Sequence, residues 1–176
     1  FGDERRTEIV EFYSDLTDED LIPEEDLIVT LSREGYAKTQ SLDVYQAQNR
    51  GGTGKRAASF KDEDFIRKLF VANTHDTLLC FSSYGKVYWI KVYRLPKGGR
   101  NAKGRPIVNL LPLDKDERIQ AVLPVKKFDD DQYVFMATEK GTVKKTKLSA
   151  YSRPMKSGIK AIKLKDKDRV VNVEIT

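Results

Sequence analysis

Residues 45–56 read Y-Q-A-Q-N-R-G-G-T-G-K-R, a composition suited to holding an anion. Gly51, Gly52 and Gly54 free the backbone for positive φ and close approach to another molecule, while Arg50, Lys55 and Arg56 surround them with positive charge. Phosphate oxygens fit such a loop, and the same composition also suits an ordinary solvated turn. Two later stretches share its character. One spans 94–105 and carries Arg94, Lys97, Arg100, Lys103 and Arg105 with Gly98, Gly99 and Gly104; the other spans 153–163 and carries Arg153, Lys156, Lys160 and Lys163 with Gly158.

Other chemistry finds little support. His75 is the only histidine and sits in N-T-H-D, a turn between two apolar runs. There is no Walker-type phosphate loop, no Cys/His metal spacing and no G-x-S-x-G elbow. Cys80, alone in L-L-C-F, reads as a small core residue. The aspartates of D-E-D at 62–64, D-K-D at 114–116 and D-K-D at 166–168 suit turns, where a carboxylate caps backbone N–H groups, better than a metal site. No catalytic residue and no metal ligand is assigned.

The elements that would position these loops repeat along the chain. The runs at 26–32, 78–83 and 133–138 are each followed by an X-Gly turn at Gly35, Gly85 or Gly141 and a second run rich in β-branched and aromatic residues. That pattern predicts three β-hairpins. Further strands are expected at 119–125 and 170–175, after the Asp-rich turns that recur every 52 residues. Between hairpin and Asp-rich turn comes a Gly-basic loop each time: Gly54 lies 19 residues after Gly35, Gly104 lies 19 after Gly85, and Gly158 lies 17 after Gly141. A repeat of about 50 residues with four strand-like runs predicts propeller blades, three of them, at about 27–75, 76–130 and 131–176. Each blade is expected to send its basic loop to an equivalent place on the outer rim.

Charge is unevenly distributed. Residues 1–26 hold eleven Asp and Glu against Arg5 and Arg6, whereas the rest of the chain has a net charge of +14. The first segment reads as a helix end followed by an acidic, solvated linker containing Pro23, and the basic body favours a polyanionic partner. No apolar run approaches the length of a membrane span and no signal peptide opens the chain, so no membrane partner and a cytoplasmic location are expected. The start at Phe1 without Met suggests a piece of a longer polypeptide.

The seven residues Gln48, Asn49, Arg50, Gly51, Gly52, Thr53 and Gly54 resemble the Q-[R/K]-R-G-G-[R/K]-G box of the C-terminal DNA-wrapping domain of DNA gyrase A, with Asn49 and Thr53 in place of two basic residues. The stretches D-E-R-R-T-E-I at 3–9, V-A-N-T-H-D at 71–76, G-R-P-I-V-N-L-L-P-L at 104–113 and F-M-A-T at 135–138 are similar to the same family. The resemblance implies an all-β fold, a spiral β-pinwheel that exchanges strands between blades, with a short helical and acidic connector. It implies a domain that binds and bends duplex DNA through the three loops, without catalysis of its own. The implied setting is a bacterial, nucleoid-associated type II topoisomerase using ATP and Mg²⁺ elsewhere, with the rest of gyrase A and with gyrase B as partners. The related C-terminal domain of topoisomerase IV and a protein-binding propeller scaffold remain alternatives. Three blades would leave open edges through which the chain could self-associate.

Overall fold

Every hairpin closes in the same way. Gly35, Gly85 and Gly141 take φ of 86°, 78° and 82°, and each donates its N–H to the carbonyl three residues back, on Ser32, Ser82 and Thr138. The hydroxyls of those three residues accept a second N–H, from Tyr36, Lys86 and Thr142. A left-handed glycine beside a capping hydroxyl is what the strand, X-Gly, strand pattern demands. The structure is a computed structural model that describes residues 18–43, 66–99 and 102–176. The expected helix end at 1–10, the loop at 45–56 and Arg100 lie outside the described residues.

Eleven strands form three antiparallel sheets among the described residues. The first hairpin pairs β1 (Asp26–Ser32) with β2 (Tyr36–Ser41), and β3 (Ile66–Asn73) lies along the other side of β1. In the second sheet β4 (Thr77–Ser82) is flanked by β5 (Lys86–Lys91) and β7 (Ile119–Val125). The third has β8 (Tyr133–Thr138) between β9 (Val143–Lys147) and β11 (Val170–Ile175). The remaining two strands are two residues long. β6 (Arg105–Pro106) pairs with β2, and β10 (Ile159–Lys160) pairs with β5. Each comes from the basic loop that follows the next hairpin, so the outermost strand of a sheet is supplied by the unit after it.

The strand period of two sorts the core into two layers. On β4, Leu78 and Cys80 pack toward the first sheet with Leu27, Val29, Leu31, Tyr88 and Val122. Leu79 and Phe81 face the third, with Val87, Leu123, Val134, Met136 and Tyr151. β4 is buried along its whole length, and burial pushes the Cys80 thiol up to about 12, as fits a core residue without nucleophilic character. On β8 the inward Val134 and Met136 are fully buried while the alternating Phe135 is exposed. Only one face of that sheet is covered among the described residues.

The acidic turns at 114–116 and 166–168 recur in the structure, but one place out of step with the aspartates, and D-E-D at 62–64 lies outside the described residues. Glu117 and Asp168 each donate N–H to the carbonyl three residues back, on Asp114 and Lys165, and the residues before them, Asp116 and Lys167, take positive φ of 67° and 55°. Asp168 caps as expected, accepting from Lys140 N and Arg169 N at 3.0 and 2.9 Å. In the second sheet that task falls to Glu117, which is buried and accepts from Ser82 Oγ at 2.5 Å, Tyr88 OH at 3.0 Å and Asp114 N at 3.0 Å. Asp116 is exposed to solvent instead. Among the described residues no helix is long and apolar enough to cross a membrane.

Candidate nucleic-acid interface

Loops two and three are seated alike, each on the second strand of the preceding sheet's hairpin. In loop two, Arg105 lies opposite Ala37 and Pro106 opposite Tyr36, and Ile107 N donates to Gly35 O at 2.8 Å. In loop three, Ile159 lies opposite Val87 and Lys160 opposite Lys86, and Ala161 N donates to Gly85 O at 2.8 Å. Gly104 and Gly158 have φ of 85° and 74° at the corresponding close approaches. A Cβ on Gly104 would lie 2.2 Å from Ala37 O, and one on Gly158 would lie 2.6 Å from Tyr88 Cε1 and 3.0 Å from Val87 O. These two glycines are therefore required by the chain's own packing, before any ligand is considered.

The cations of the two loops remain at the surface. Arg94 ends a 3₁₀ turn, exposed, with its guanidinium carbon 5.5 Å from the Tyr93 ring. Arg105, Arg153, Lys156, Lys160 and Lys163 are exposed. Lys103 lies 4.1 Å over the Tyr36 ring and 3.5 Å from Glu34 Oε2. Burial works against its charged form, but Tyr36 and Glu34 outweigh that and hold its pKa above the ordinary lysine value. Gln48, Asn49, Arg50, Gly51, Gly52, Thr53, Gly54, Lys55, Arg56 and Arg100 lie outside the described residues.

Lys97 is reached by the acidic segment, which is docked on the sheet where a solvated linker was expected. Lys97 Nζ pairs with Glu25 Oε1 at 2.9 Å, and Lys91 Nζ pairs with Glu19 Oε1 at 3.2 Å. Polar groups of the turn between β3 and β4 fasten the segment: Thr74 N donates to Glu25 O, Thr74 Oγ1 donates to Pro23 O, and Glu25 N donates to Thr74 Oγ1. His75 occupies that turn as expected, with Nε2 2.7 Å from Ile22 O and Nδ1 3.4 Å from Glu24 Oε1.

Several cations lie outside the expected set. Lys86 stands opposite Lys160. On β9, Lys144, Lys145 and Lys147 are exposed, and no strand covers the outer edge of β9 among the described residues. The run V-K-K-T-K was legible as a strand, and its lysine content was the signal for a charged outer edge. Lys38, buried on β2, is a third kind of cation, and its ammonium is directed at loop two. Among the described residues no group of three or more His, Cys, Asp or Glu gathers to hold a metal.

The geometry of repeated sheets with exchanged outer strands has known relatives. Segments 26–73, 76–126 and 132–176 match a family model described as DNA gyrase C-terminal domain, beta-propeller. Over its whole length the chain is 58% identical to DNA gyrase A of Aeromonas salmonicida, covering 19% of that protein. It thus spans about a fifth of the length of the curated relatives it matches. A solved C-terminal domain of DNA topoisomerase IV superposes with a TM-score of 0.75 at 35% identity, over 88% of this chain and 47% of that one. A solved DNA gyrase A C-terminal domain gives 0.64 at 31% identity, over 86% of this chain and 48% of that one. Three matched segments that follow the three sheets, two of which take their last strand from the next unit among the described residues, identify the chain as a member of the DNA gyrase C-terminal domain, beta-propeller, family.

Proposed function

We propose that the chain holds duplex DNA by its phosphates along the outer strands of successive blades and bends it there, with little preference for base sequence. The observation that carries this reading is the matched seating of loops two and three on β2 and β5, which repeats a cluster of exposed cations from one blade to the next. Charge-assisted hydrogen bonds to phosphate are roughly twice as strong as neutral ones. Smoothly bending 20–30 base pairs through 40–90° costs about 1–6 kcal/mol, which several such contacts offset. Residues 48–56 are assigned to the same work on the first blade.

In this reading the chain serves a gyrase A protein in the bacterial nucleoid, together with the remainder of that protein and with gyrase B. ATP and Mg²⁺ act in those other parts, and the bent segment is presented for strand passage that introduces negative supercoils. The domain of topoisomerase IV is a second reading, favoured by the TM-score of 0.75. Identity of 58% across the whole chain to gyrase A weighs against it.

Titration of the chain with duplex DNA at 50 and 200 mM salt tests the proposal. With roughly six to ten phosphate contacts, affinity falls by about 10³ to 10⁵ between these conditions. Binding that is absent at 50 mM salt, or indifferent to salt, would overturn it in favour of a protein-binding scaffold.

A further inference from the structure

Lys38 is only 3% exposed and lies on β2, the strand against which loop two pairs through β6. Its stem runs between two glycines of that loop. A Cβ on Gly98 would come 3.3 Å from Lys38 Cδ, and one on Gly104 would come 3.1 Å from Lys38 Cβ. The ammonium donates to Gly99 O at 3.2 Å and to Ala102 O at 2.9 Å. Backbone bonds already hold the entry to the loop, with Thr39 N donating to Pro96 O and Gly98 N donating to Thr39 O. Lys38 holds its middle. Withdrawing an ammonium from water is costly unless other acceptors replace the water, and burial lowers the pKa of Lys38 from the ordinary lysine value. The carbonyls of loop two are such acceptors.

The same position in the second blade has a different occupant and the same neighbour. Tyr88 lies six residues after Ser82, as Lys38 lies six after Ser32. Its ring sits where a Cβ on Gly158 would be, and its hydroxyl donates to buried Glu117. Loops two and three therefore each rest on the side chain at this one strand position, by hydrogen bonds to carbonyls in the first blade and by ring packing in the second.

We propose that Lys38 is a positioning residue for DNA binding: it touches no phosphate, and it holds loop two in the shape that presents Lys97, Lys103 and Arg105 to the duplex. This rests on the DNA-binding function proposed above.

Amide hydrogen exchange and salt-dependent DNA titration of the full chain, with Lys38→Met and Lys97→Ala compared, test it. Lys38→Met is expected to speed exchange at Gly98 and Ala102 by about 10-fold or more while Gly85 and Gly141 stay unchanged, the span between local and global opening. It is also expected to lower the slope of log K against log[salt] by about two, since several phosphate contacts go together, against about one for Lys97→Ala. Should the Met variant lose its cooperative fold, Lys38→Leu, which also lacks an N–H donor and has a shorter stem, carries the same comparison. Unchanged exchange in loop two, or a slope change no larger than that of Lys97→Ala, would overturn the proposal. If the unsubstituted chain shows no salt-steep binding, the DNA function fails, and with it the role given to Lys38, even where exchange shows that Lys38 holds the loop.

Discussion

Glu25 and Lys97 meet at 2.9 Å, so a lysine assigned to the DNA-facing loop is paired with a carboxylate from the chain's own acidic segment. Their side chains are 42% and 73% exposed, and a pair of that kind is worth about 0–1 kcal/mol. Glu25→Gln should therefore strengthen DNA binding at low salt by up to about 5-fold, with the gain fading as screening rises. Fluorescence anisotropy with labelled duplex at two salt concentrations measures it. Equal affinities at low salt would show that the segment does not compete.

Gly104 and Gly141 have nearly the same φ, 85° and 82°, but very different surroundings. A Cβ on Gly104 meets Ala37 O at 2.2 Å, whereas nothing lies within 4 Å of one on Gly141. Gly141→Ala is expected to cost about 1–2 kcal/mol, the strain of a left-handed alanine. Gly104→Ala adds an overpacking term of about 1–3 kcal/mol and should detach loop two. Urea denaturation separates them, and matching midpoints would count against the seating described here.

Glu117 ties the hairpin, the acidic turn and the rest of loop three's support together through Ser82, Asp114 and Tyr88. Glu117→Ala leaves those donors without their shared acceptor and should destabilise the chain by about 2–4 kcal/mol. Tyr88→Phe removes one of the bonds and should cost about 1–2 kcal/mol. Thermal unfolding of both variants checks the order; a milder loss for Glu117→Ala would contradict it.

Asp168 offers a pH test. Burial resists its ionisation, but the Thr138 hydroxyl, the N–H groups of Lys140 and Arg169 and the Lys140 charge hold its pKa below the ordinary carboxylate value. A carboxyl depressed in the folded state contributes stability that is complete above its unfolded pKa of about 4 and is lost as pH falls through the folded value. Asp168→Asn should flatten the acid limb of stability below about pH 4 and leave the slope near neutrality unchanged. Denaturation midpoints collected from pH 2 to 8 show whether it does.

The hairpins were legible because local signals agreed: alternating β-branched and aromatic residues on both sides of an X-Gly turn place β1, β2, β4, β5, β8 and β9 close to where they lie. β6 and β10 were not, because two residues carry no period and their pairing is created by docking onto another unit. The aspartate recurrence misled by one position, since Glu117 replaces Asp as the buried acceptor and the longer side chain reaches Tyr88. Charge was readable as composition, which located the basic loops but could not reveal that Glu25 pairs with Lys97. Lys38 was invisible in Y-A-K-T-Q-S, where nothing local marks one strand lysine as buried. The loop at 48–56, where the family resemblance is most specific, lies outside the described residues.

Relaxing a closed circular plasmid with a nicking-closing enzyme in the presence of the chain, then counting topoisomers after the protein is removed, measures bending into a wrap directly. A rim of repeated basic loops predicts a shift of the topoisomer distribution that grows with protein and disappears at high salt. A distribution unchanged at saturating protein and low salt would contradict the account.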